Sequence, residues 1–106
     1  MHATTHVYFV GNTMLAELTN LKDEITGILL PAAVVTAWIV KPDGTIFPDS
    51  TITVNVVTAG HYQGLFPHTL ALLPDVAYRV IIRAETGAPT QRAEWTLNAP
   101  SGVRYA

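Results

Sequence analysis

The chain has 106 residues, a net charge of −2 and an isoelectric point near 6.0, which bounds it to one domain, residues 1–106, burying roughly two thirds of its unfolded surface. With no cysteine and only six scattered Lys and Arg residues, it has no disulfide framework, no cysteine metal site and no electrostatic footprint for nucleic acid. Charged residues make up 13%, against ~25% in an average domain, and mean hydropathy is +0.30, so either a threonine-rich neutral surface keeps it soluble or another subunit covers a second apolar surface.

The amino terminus, MHATTHVYFV, has no basic region and too few apolar residues for a signal-peptide core. Thr5–Val10 and Thr13–Thr19 read as strands around Gly11-Asn12, a pair that suits a hairpin or a kink within one long edge segment. Asn20–Pro31 reads as a crossover connection, with room for a short helical turn at Leu21–Ile25. The run from Ile25 to Val40 carries no charge, but it is shorter than the ~20 residues of a membrane-spanning helix and is broken by Gly27 and Pro31.

Ala33–Lys41 is a strand ended by the turn Pro42-Asp43-Gly44. One face carries Ala33, Val35, Ala37 and Ile39, small enough for a tight core. The other carries Val34, Thr36, Trp38 and Val40, an apolar surface with no cover evident in the chain and the expected interface. Thr51–Thr58 alternates Ile52, Val54 and Val56 with polar residues, and Val57 breaks the pattern. His61–Phe66 is followed by a corner at Leu70–Pro74, a strand at Ala77–Glu85, a loop containing Gly87 and Pro89, and a last strand at Arg92–Asn98. About seven strands, regular turns and no amphipathic helix form the pattern of an all-β antiparallel sandwich with short flexible termini.

Chemistry is sparse. His2 and His6 stand four apart in a terminus expected to be frayed and non-helical, and His61 and His68 lie roughly 20 Å apart on an extended chain, so the histidines read as solvated rather than as metal ligands. The carboxylates are dispersed. Asp43 and Asp75 belong to turns, and Glu85 and Glu94 are placed to face arginines across neighbouring strands. No catalytic motif or cofactor fingerprint is present, so no enzyme activity, metal or cofactor is expected. Trp38, Trp95, Tyr8 and Tyr105 are candidate stacking rings for a sugar, with Trp95 and Tyr8 otherwise expected to fill the ends of the core.

Leu72-x-Pro74-x-x-x-Tyr78 before an alternating strand resembles the tyrosine corner of Ig-like and fibronectin-type-III-like sandwiches. On that resemblance Tyr62, Leu72, Pro74 and Tyr78 are the fold-determining residues. VYFVGNT, ITGILLPAAVVTAWIVKPDGT and GHYQGLFPHTLALLPDVAYRVIIRAETG together resemble small bacteriophage and prophage virion proteins with an Ig-like fold. That likeness implies a non-enzymatic head, neck or tail subunit located in the virion and assembled in the host cytoplasm. Its partners are other virion proteins and copies of itself, with no nucleic acid and no membrane. An adhesion or carbohydrate-binding sandwich is the alternative.

Overall fold

In the computed structural model, residues 1–10, 13–23, 26–30, 32–67, 70, 76–86 and 91–99 are described. Seven strands run in chain order: β1 (His2–Val10), β2 (Thr13–Lys22), β3 (Val34–Val40), β4 (Ile52–Thr58), β5 (His61–Leu65), β6 (Arg79–Thr86) and β7 (Gln91–Asn98). They lie in the order β1-β2-β5-β4-β3-β6-β7, every neighbouring pair antiparallel. The result is an all-β, nearly closed sheet whose first and last strands approach each other, with no ladder between them among the described residues.

One strand joins the two halves of this sheet. The first residues of β4, Ile52 to Val54, pair with β3, and its last, Asn55 to Thr58, pair with β5. The handover requires a close approach: a Cβ on Gly64 of β5 would lie 3.0 Å from the Thr53 carbonyl oxygen and 3.2 Å from the Val54 Cα. Only glycine lets the two backbones meet there.

The core follows the period-2 pattern. Met14, Ala16 and Leu18 of β2, Val35, Ala37 and Ile39 of β3, and Val80, Ile82 and Ala84 of β6 are all buried, with Tyr62, Phe66, Leu70 and Tyr78. Thus Val35, Ala37 and Ile39 face inward as their alternation predicts, and Ala33 packs partly against the same core.

Several expectations are corrected, and two bulges account for three of them. Between the pairs Thr4↔Thr19 and His2↔Lys22, β2 carries one residue more than β1. The extra residue is Asn20, in the left-handed region at φ 56, a conformation asparagine tolerates. It inverts the alternation so that Leu21 is fully buried, and β2 runs on to Lys22, so Leu21 and Lys22 are strand where the sequence left room for a short helical turn; Glu24 and Ile25 lie outside the described residues. On β4 the register shifts between Val56 and Thr58; Val57 is the bulged residue, and Val56, opposite the buried Tyr62 at the end of the regular ladder, is half exposed instead of buried. The amino terminus is ordered strand from His2, not frayed, because β2 extends far enough to pair with it. Gly11-Asn12 lies outside the described residues, but Val10↔Thr13 pairing makes β1 and β2 a hairpin rather than one long segment.

Tyr62 ties the β2–β3 connection to the core. Its hydroxyl donates to the Leu30 carbonyl at 2.7 Å and accepts from the Ala33 N–H at 3.0 Å. The Leu30 carbonyl also accepts from Gly60, while the Leu30 N–H donates to Leu21 and the Leu21 N–H to the Gly60 carbonyl. Ser50 does similar service at the β3–β4 connection, accepting from the Ile39 N–H and donating to the Phe47 carbonyl. Tyr78 is buried with its ring edge-on to Phe47, centroids 5.8 Å apart. Leu72, Pro74 and Asp75 of the expected corner, and His68, lie outside the described residues.

Candidate functional site

Two outward faces carry the chemistry. On β1, β2 and β5 the core-facing residues are Ala3 and Val7, then Met14, Ala16 and Leu18, then Tyr62, which turns the alternate positions out. The ladder aligns those positions in rows: His6 opposite Glu17, Glu17 opposite Gln63 and Gln63 opposite Asn55. One pleat away, Tyr8 stands opposite Leu15 and Leu15 opposite Leu65.

The polar row is built around Glu17. Gln63 Nε2 donates to Glu17 Oε2 at 2.7 Å, and His61 Nε2 lies 3.1 Å from the same oxygen. An ionised carboxylate only accepts, so His61 carries its proton on Nε2 toward Glu17. The Gln63 bond, then the His61 bond and the charges of His61 and His6, hold the Glu17 carboxyl below its ordinary range against the opposing effect of burial. Glu17 Oε1 has no partner among the described residues, and no buried side-chain polar atom among them lacks one, so Oε1 is open to solvent. In the apolar row Leu15 is 8% exposed although it points outward, whereas Tyr8 is 40% and Leu65 58% exposed. Tyr8 therefore does not fill an end of the core, while Trp95 packs against it as expected.

The second face belongs to β3, β6 and β7. Of the four residues expected to form an interface, Val34 is exposed, Thr36 and Trp38 are half-buried, and Val40 is buried. Trp38 is not left uncovered: the Arg83 guanidinium lies 4.9 Å above its ring. The register explains this, since Arg83 stands opposite Thr36 and is thus diagonal to Trp38. Arg83 also pairs with Glu94 at 2.8 Å, and Arg92 pairs with Glu85 at 3.0 Å, the cross-strand partners expected from the sequence.

The sequence reading missed the Glu17, His61, Gln63 and His6 constellation. Each residue is an outward polar position on its own strand, but 44 residues separate Glu17 from His61, and only the β2–β5 register brings them together. Among the described residues no three His, Asp or Glu are grouped to hold a metal ion, and no helix is long and apolar enough to cross a membrane. Tyr105, the remaining aromatic candidate, lies outside the described residues. No family model matches the chain, nor does any curated protein or solved structure.

Proposed function

We propose that this protein is a non-enzymatic structural subunit with an Ig-like, fibronectin-type-III-like sandwich, working by association with copies of itself and with other proteins of a bacteriophage particle. The carrying observation is the outward face of β3 and β6. Four of its charges pair within the face, Arg83 with Glu94 and Arg92 with Glu85, while Arg79 stands at its end opposite Val40 and Asn98; Val34, Trp38 and Ile81 are its apolar residues, in a chain with half the usual charge. With Arg79 kept at the rim, the paired part of this surface can be buried against another subunit without stranding an ion.

The connectivity supports the Ig-like assignment. Strands β3, β4 and β5 are sequential neighbours, β2 returns beside β5 and β6 beside β3, which makes two overlapping Greek keys. The cross-section is flattened, 27 × 18 Å beneath a 43 Å long axis, which favours two packed layers over a round barrel. On this reading the β1-β2-β5 and β3-β6-β7 groups are the two layers, with β4 passing between them.

The test is Trp38→Asp together with Val34→Asp, read by light scattering and by co-sedimentation with particles. The wild type is expected to be oligomeric or particle-bound and the variant a folded monomer. A wild type that is monomeric, and does not sediment with any particle from its source, removes the reading.

A further inference from the structure

We propose that the outward face of β1, β2 and β5 binds a neutral saccharide, with the Tyr8 ring as its stacking surface and Glu17, Gln63 and His6 as its hydrogen-bond partners. The proposal is independent of the assembly reading, which uses the opposite face.

A sugar ring presents an apolar C–H face and an equatorial belt of hydroxyls that both donate and accept. The protein offers the complement in adjacent rows. Tyr8 is 40% exposed and Leu65, across Leu15 in the same row, 58%, and His6, two residues from Tyr8 on the same face, begins the polar row. Two residues of strand span about 7 Å, so a single pyranose unit can rest on the ring and reach the polar row together. Leu15, 8% exposed between Tyr8 and Leu65, gives the stacking surface a filled base.

The polar row is preorganised. Glu17 Oε2 is held by Gln63 Nε2 at 2.7 Å and by His61 Nε2 at 3.1 Å, which fixes the carboxylate and leaves Oε1 free to accept from hydroxyls. The Gln63 carbonyl oxygen and the His6 ring, opposite Glu17, supply further acceptor and donor capacity with no partner among the described residues. A site whose side chains are already locked spends little entropy on ordering. The charge of the site selects among sugars. Glu17 is its one acidic side chain, and Lys22 stands at the far end of β2 opposite His2, so sulfated and acidic glycans meet a like charge and neutral ones are favoured.

The test titrates the intact, isotope-labelled protein with cellohexaose, maltohexaose, chitohexaose and lactose up to about 10 mM, the range of weak specific binding, following backbone amides. At least one saccharide is expected to shift the amides of Tyr8, Leu15, Glu17, Gln63 and Leu65. Tyr8→Ala should weaken it about tenfold or more, Glu17→Gln comparably, and Tyr8→Phe little. Tryptophan emission should stay unchanged, because both tryptophans belong to β3 and β7. Near-ultraviolet circular dichroism of each variant separates a lost contact from a lost fold. The proposal is overturned if none of the four shifts these amides, or if the folded Tyr8→Ala protein binds as well as wild type. Binding abolished at about 0.5 M salt would mark an ionic contact instead and also overturn it.

Discussion

The Tyr62 hydroxyl sits where a phenylalanine would satisfy the core but not the backbone. Tyr62 is 1% exposed, and its oxygen serves the Leu30 carbonyl and the Ala33 N–H. Tyr62→Phe keeps the ring but removes the acceptor of the Ala33 N–H and one of the two donors to the Leu30 carbonyl, so it is expected to cost about 1–3 kcal/mol, the net worth of two hydrogen bonds, measured by urea denaturation. Glu17 gives a prediction with a direction in pH. Its carboxyl is held below the ordinary value of 4.5, chiefly by the Gln63 hydrogen bond and then by His61. A lowered folded value stabilises the protein fully above the unfolded value and is lost as pH falls through the folded one. The stability difference between wild type and Glu17→Gln should therefore be constant near neutrality and shrink below about pH 4.5, as paired denaturation curves at pH 7 and pH 3 will show. A difference that grows on acidification contradicts the assignment.

At the scale of elements, β4 is the strand on which the architecture turns, and Gly64 is what permits it. Adding a methyl group at residue 64 places it against the Thr53 carbonyl and the Val54 Cα, backbone atoms that cannot rotate away. Gly64→Ala is expected to destabilise the protein by about 1–3 kcal/mol through overpacking. Hydrogen exchange should locate the loss at the β4–β5 ladder, with faster exchange at Asn55 and Gln63 and little change in β6 and β7. The strands themselves were largely legible in the sequence, because alternation reports a sheet with one wet face: Val35, Ala37 and Ile39 are inward, and the β6–β7 ion pairs join the residues expected. What escaped were the places where alternation fails. Asn20 and Val57 each add a residue to one strand, and the sequence shows only an ended strand or a blemish where the structure has a bulge, the first of which re-aims Leu21.

For the whole molecule, the way charge is spent bears on association. Arg83, Glu94, Arg92 and Glu85 pair with one another on the outward face of β6 and β7, so an assembly through Val34 and Trp38 should be driven by apolar burial. Light scattering is expected to give the same oligomer mass at low salt and at about 1 M, where exposed ion pairs are screened. Dissociation on adding salt would assign the contact to charges elsewhere. Arg83→Ala uncovers the Trp38 ring, and in the unassembled state its emission should move to the red. The composition determined that the chain has no cysteine and little charge, and the periodicity determined about seven strands and most of their inward faces, because both are sums over residues or local rhythms. The tertiary structure alone decided that Tyr62 latches the β2–β3 connection, that Arg83 covers Trp38, and that Glu17 meets His61 and Gln63 beside Tyr8. Those contacts depend on the register between strands far apart in the chain, and register is set by bulges, a glycine at the crossover and the burial of whole faces together.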